Sequence, residues 1–235
     1  MKSFLMMGQS NMAGRGIIGE VPPIVNEHCF MLRNGMWRPM GDPVNPDRQL
    51  SFRHGISPAV SFAEAYAKHF GEDVGLIPCA DGGSCLDQWQ PGEPFYDNAV
   101  NQARLAMRSS ELAGILWHQG EQDSYSLENI ALYHDKFMHM LETLKRDLGI
   151  EEIPLMIGEL GEFVDGFQNG RFRYFRMTNR TLKGLSEEIP QAGFVSARGL
   201  TCNEDCVHFN ARSQREFGRR YFQTYLTIYS QIQSK

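Results

Sequence analysis

The chain has 235 residues, 42% hydrophobic and 22% charged, with a formal net charge of −5, and that length suits one larger domain, residues 1–235, around a sizeable core. The charge leaves no basic footprint for nucleic acid or an anionic membrane surface, and no apolar run approaches the roughly 20 residues of a membrane span. After Lys2 only Phe4 to Met7 are apolar before Gly8, too short for the core of a signal peptide, so the expected location is cytoplasmic unless a leader has been removed.

In chain order, residues 2–7 (Lys-Ser-Phe-Leu-Met-Met) read as a buried strand: apolar, short and closed by a glycine. Gly8-Gln9-Ser10-Asn11-Met12-Ala13-Gly14 follows, a serine held among glycines and carboxamides with no long side chain until Met12. A nucleophile needs such a tight turn, open on one side with backbone N–H groups nearby. An ordinary helix N-cap is the other reading of the same residues. The stretch 17–47 is polar and proline-rich, and inside it residues 28–32 and 36–38 flank Asn34-Gly35 as a small hairpin.

Ser57-Pro58 then opens a helix, with Val60, Ala63, Ala67 and Phe70 on one face and Gly71 as its stop. Residues 73–78 form a second strand running into the turn Ala80-Asp81-Gly82-Gly83-Ser84. A helix over 96–108 leads to a third strand, 112–117, which ends in His118-Gln119-Gly120-Glu121. Ile130, Tyr133, Phe137, Met140, Leu144 and Leu148 mark the longest helical face, ended by Gly149. A fourth strand at 153–157, a basic amphipathic helix over 172–185 and a fifth strand at 192–197 come next. A polar loop through His208 precedes a closing helix from about Ala211 to Ile232.

Strands and helices alternate throughout, which argues for an α/β domain: a five-stranded parallel sheet covered by helices on both faces. Ligands in such sheets bind beyond the carboxyl ends of the strands. The segments expected there are 8–14, 82–84, 118–123 and 203–208, where glycine and polar residues also concentrate.

Asp205-Cys206-Val207-His208 sets a carboxylate three residues before a histidine. At that spacing Asp205 can hold one imidazole nitrogen while the other faces a serine; alternatively Asp205 caps the last helix. Gly82 can bring a backbone N–H close to a ligand because nothing projects from it. With the Ser10 N–H and the Gln119 side chain it completes a three-donor oxyanion hole. The five cysteines, Cys29, Cys79, Cys85, Cys202 and Cys206, are odd in number and are expected as free thiols. Cys202, Cys206 and His208 lack a fourth, paired ligand of the kind zinc favours, so no metal or cofactor is expected.

The blocks Gly8-Gln9-Ser10-Asn11-Met12, Gly82-Gly83-Ser84, Trp117-His118-Gln119-Gly120-Glu121 and Asp205-x-x-His208 resemble those of the SGNH hydrolases. More narrowly, they resemble carbohydrate esterase family 6 and the sialate O-acetylesterase-like proteins, from residue 8 to residue 208. The resemblance implies a flavodoxin-like three-layer fold and a metal-free serine esterase acting on acetylated oligo- or polysaccharides, acetylxylan among them. The alternatives are a sialate O-acetylesterase or a carbohydrate-binding protein without turnover. Ser10 matches the nucleophile, His208 the general base and Asp205 the residue orienting it. Gly82 matches the second-block oxyanion donor, with Gly83 as the alternative. The wider superfamily has Gly-x-Asn-Asp in the third block; here the stretch is Gly120-Glu121-Gln122-Asp123, so Gln119 is the expected donor and Gln122 its competitor. Gln9 and Asn11 are expected to support the serine turn, and Arg15 to pair with Glu121 beneath it or to be solvated. Trp89 is a candidate sugar platform, Trp37 and His118 are expected in packing, and His134 and His139 in solvent.

Overall fold

The computed structural model describes residues 1–45 and 55–234. Among the described residues seven strands form one sheet: β1 (Lys2–Gly8), β2 (Cys29–Arg33), β3 (Met36–Pro39), β4 (Val74–Pro78), β5 (Glu111–His118), β6 (Leu155–Gly158) and β7 (Ala192–Val195). Their order is β3-β2-β4-β1-β5-β6-β7, parallel throughout except for the β2–β3 hairpin at one edge. The expected five-stranded sheet is therefore corrected to seven. The hairpin does not stand apart; Cys29, Phe30 and Met31 pair in parallel with Val74, Gly75 and Leu76. Left uncovered, β4 would present a row of unpaired N–H and C=O groups. Gly75 makes the docking possible, because a Cβ there would lie 2.5 Å from the Trp37 ring.

Alternation along the central strands builds a core on each face. Leu5 and Met7 of β1, Ile115 and Trp117 of β5 and Ile157 of β6 point into one layer, which α3 (Pro94–Ala106), α4 (Leu127–Leu148) and α5 (Phe175–Glu188) cover. Phe4, Met6, Leu116 and Met156 point into the other, closed by α2 (Pro58–Phe70) and α6 (Ala211–Gln233). Local sequence sets the helix ends. Ser57 accepts the Ala59 N–H ahead of Pro58, Ser126 accepts the Glu128 N–H, and Gly71 and Gly149 end their helices in the left-handed conformation. The basic helix α5 starts at Phe175, three residues later than its pattern suggests, because a 3₁₀ segment (Glu162–Asn169) and a turn occupy the preceding stretch. Among the described residues no helix is long and apolar enough to cross a membrane.

From β1 the chain first goes out to β2 and β3 at one edge, returns to β4 beside β1, and then crosses to β5 on the opposite side. The carboxyl end of β1 is thus the point where strand order reverses, the usual crevice for a ligand in an open α/β sheet. The serine turn emerges there.

Candidate active site

Gly8 ends β1 with φ +122, and a Cβ on it would sit 2.1 Å from the His118 carbonyl oxygen. Only glycine permits this approach. It lets the Gln9 N–H donate to His118 O at 2.8 Å, tying the serine turn to the end of β5. Ser10 then opens the four-residue helix α1 (Ser10–Ala13), whose cap position is Gln9. The Ser10 hydroxyl does not cap that helix. Its Oγ lies 2.9 Å from His208 Nε2, and His208 Nδ1 lies 2.7 Å from Asp205 Oδ2. The other Asp205 oxygen accepts the N–H groups of Val207 and His208, both at 2.9 Å. Asn210, not Asp205, caps α6, accepting the Ser213 N–H.

Burial works to raise the Asp205 carboxyl. The His208 hydrogen bond and the two backbone N–H groups outweigh it and hold the group at about 2. An ionised Asp205 fixes the His208 proton on Nδ1 and leaves Nε2 to accept the serine hydroxyl. Asn11 sets the backbone on both sides of His208: its amide donates to Val207 O at 3.0 Å and its oxygen accepts the Phe209 N–H at 3.0 Å. The same amide donates to Glu121 at 2.6 Å.

Ser10 and His208 line a cavity of about 200 Å³, walled on one side by Gly82, Gly83 and Gln122. The Ser10 N–H, first in its helix, has no intrahelical acceptor, and the Gly82 N–H makes no hydrogen bond among the described residues. Gln119, the residue expected as third donor, is not part of that cavity's lining. Gln119 is fully buried, and its amide is spent on Ser84 O at 2.9 Å and Asp123 Oδ2 at 2.5 Å, while Tyr133 donates to its oxygen at 2.8 Å. It does not reach the cavity. Gln9 does. The Gln9 oxygen faces two backbone donors, the Gln122 N–H at 3.3 Å and the Gly120 N–H at 3.4 Å. That network fixes which end of the carboxamide is oxygen, and Gln9 is among the residues that line the cavity beside Ser10.

The model of the family described as carbohydrate esterase, sialic acid-specific acetylesterase (SASA), matches residues 1–227. The chain belongs to this carbohydrate esterase family. The probable carbohydrate esterase At4g34215 of Arabidopsis thaliana is 25% identical over 246 residues, covering 95% of this chain and 90% of that protein. The X-ray structure of that protein matches with a TM-score of 0.86 at 24% identity over 96% of this chain and 98% of the other. The crystal structure of NanS matches with a TM-score of 0.76 at 16% identity, over 98% of each chain. XAC1771, a carbohydrate acetylesterase from Xanthomonas citri, matches with a TM-score of 0.64 at 17% identity over 96% of this chain and 56% of that one. The fold is that of the SGNH hydrolases.

Other expected residues of this SASA-family esterase sit differently from their sequence reading. Arg15 and Glu121 do not pair with each other: Arg15 donates to Gly14 O at 2.8 Å, and Glu121 receives Asn11 and, at 3.1 Å, His118. Glu121 is fully buried; desolvation opposes its ionisation, but the adjacent His118 and Asn11 hold it below the usual carboxylate range. Trp89 is not a sugar platform. It is fully buried, donates to Ser84 Oγ at 3.0 Å and packs on Trp117. His118 is a core residue, and His134 lies at the surface between Asp135 and Glu188. The five cysteines are free, and both ring nitrogens of His208 already have partners in Asp205 and Ser10. Phe167, Arg171 and Phe172, between β6 and α5, complete the cavity wall; no motif in the sequence singled them out.

Proposed function

We propose that the chain is a serine esterase that removes O-acetyl groups from carbohydrates through an acetyl-enzyme intermediate. The observation that carries this reading is the hydrogen-bonded line from Ser10 Oγ through the His208 ring to Asp205 at the rim of a small cavity. Ser10 Oγ attacks the acetyl carbonyl carbon while His208 Nε2 takes its proton. The carbonyl oxygen becomes an oxyanion held by the Ser10 and Gly82 N–H groups and the Gln9 amide. His208 gives the proton to the sugar oxygen as its bond to the acetyl carbon breaks, so the sugar leaves with a free hydroxyl. A water then repeats the sequence on the acetyl-serine, releasing acetate and restoring the hydroxyl.

A cavity of about 200 Å³ favours a short acyl group, so acetate esters should turn over faster than butyrates, and octanoates scarcely at all. A second substrate reading, an acidic sugar such as an O-acetylated sialic acid, draws support from the presence of Arg15 and Arg171 among the residues that line the same cavity. Acetate release from acetylated xylo-oligosaccharides, acetylated manno-oligosaccharides and O-acetylated sialic acid, measured side by side, separates the two readings. A neutral substrate hydrolysed at least tenfold faster supports the first and the reverse supports the second. No acetate from any of them, nor from an aryl acetate, would leave a carbohydrate-binding protein without turnover.

A further inference from the structure

Beyond the 80–83 segment from Ser10 lies a larger cavity of about 350 Å³, within the range of about 300–1,000 Å³ common for small-ligand sites. It opens at the same edge of the sheet as the serine pocket, since Arg33 ends β2 and Pro78 ends β4 there. Leu32, Cys79 and Phe95 give it an apolar floor. Around that floor stand three carboxamides, Asn34 in the hairpin turn and Asn98 and Gln102 one turn apart on α3. None of the three side chains makes a hydrogen bond within the described residues. Arg33 adds a guanidinium whose Nη2 is held on Pro43 O at 2.6 Å and whose Nε is buried without a partner.

The lining specifies a ligand chemistry. A carboxamide offers donor and acceptor together, which matches a hydroxyl that is both, and an apolar floor matches the C–H face of a pyranose. Arg33 is the one cationic residue in that lining and Asp81 an acidic one, so the cavity offers no excess positive charge for a polyanion. Ala80 and Asp81 line this cavity while the next two residues, Gly82 and Gly83, line the serine pocket. At 3.8 Å between consecutive Cα atoms the shared wall spans on the order of 10 Å, a distance that neighbouring units of one oligosaccharide can bridge. Resting on the esterase reading above, we infer that this cavity is a subsite for a neutral, unacetylated sugar unit of the oligosaccharide whose ester is presented to Ser10.

The double variant Asn98→Ala, Gln102→Ala tests it. Both positions lie on the open side of α3, where alanine is a good helix former. On an acetylated xylotetraose the inference expects KM to rise about tenfold with kcat within twofold of wild type. On 4-nitrophenyl acetate, which carries no second sugar, both constants should stay unchanged. A calorimetric arm avoids turnover: the Ser10→Ala protein is titrated with unacetylated xylotetraose and mannotetraose, with and without the double substitution. The inference expects at least one tetrasaccharide to bind and the double substitution to weaken it about tenfold. Equal KM values for variant and wild type on the tetrasaccharide, or no tetrasaccharide binding at all, overturn it even if esters are cleaved. Binding that the double variant weakens, in a protein that cleaves no ester, upholds the subsite and refutes the esterase reading.

Discussion

Replacing Gln9 by glutamate separates two tasks of one side chain. Its oxygen accepts the Gln122 and Gly120 N–H groups at 3.3 and 3.4 Å, and its amide is the proposed third oxyanion donor in the cavity it lines beside Ser10. Gln9→Glu keeps an acceptor for the backbone groups and removes the donor. Losing one oxyanion donor costs about 10²–10³ in kcat, or about 2.7–4 kcal/mol. The buried N–H groups keep their partner, so the stability lost is that of placing a carboxylate at a buried position. Gln9→Ala removes both; each orphaned N–H then costs about 1–3 kcal/mol of stability, so this variant should lose activity and melt lower. Gln119→Leu is the control: its amide bonds run to Ser84 and Asp123, away from the cavity, so it should lower the melting temperature more than kcat. The assay is kcat on an aryl acetate with thermal melts on all three proteins. If Gln9→Glu keeps more than a third of wild-type kcat while a folded Gln119 variant loses a hundredfold, the donor assignment is wrong.

Asp205→Asn should leave the protein folded and lower kcat by roughly 10⁴-fold, since an amide facing His208 Nδ1 favours the tautomer that cannot accept the serine proton; turnover and a melt check it. Glu121→Gln keeps an acceptor for Asn11 but removes a buried charge beside His118, so it should cost more melting temperature than turnover. Its stability loss should fall short of the about 3–5 kcal/mol typical of breaking a buried pair outright. Burial pushes Asp123 up to about 6, against the hydrogen bonds it accepts from Gln119 and Leu86. A carboxyl whose folded value lies above its unfolded one holds its proton more tightly when folded, so stability falls as pH rises from about 4 to about 6. Denaturant titrations at pH 4 and 7 should find that Asp123→Asn removes about 2 kcal/mol of that difference.

What could be read from the chain alone follows how local each signal is. The five strands β1, β4, β5, β6 and β7, the cap at Ser57 and the stops at Gly71 and Gly149 depend on neighbours within one turn. Asp205 and His208 are three residues apart, so their contact needs only a loop. The hairpin around Asn34-Gly35 was readable as a hairpin; its place beside β4 was not, because it depends on Trp37 covering a glycine 38 positions on, at Gly75. Gln9 and Gln119 are chemically identical and both lie in glycine-rich turns. Which one faces the cavity is decided by Tyr133, Asp123 and the Ser84 carbonyl, which anchor Gln119 from other loops. Trp89 reads as a surface aromatic in a polar stretch, yet Phe95 and Trp117 enclose it.

The central claim is that Ser10 forms the covalent acyl intermediate. A fluorophosphonate that phosphonylates activated serines, followed by peptide mass mapping, tests it without any assumption about the sugar. The account predicts a single adduct on Ser10, formed at a rate that His208→Ala abolishes. Ser10→Ala should remain unlabelled and lose at least about 10³-fold in kcat on an aryl acetate. Labelling at another serine, or a folded Ser10→Ala that keeps more than a tenth of wild-type activity, would contradict it.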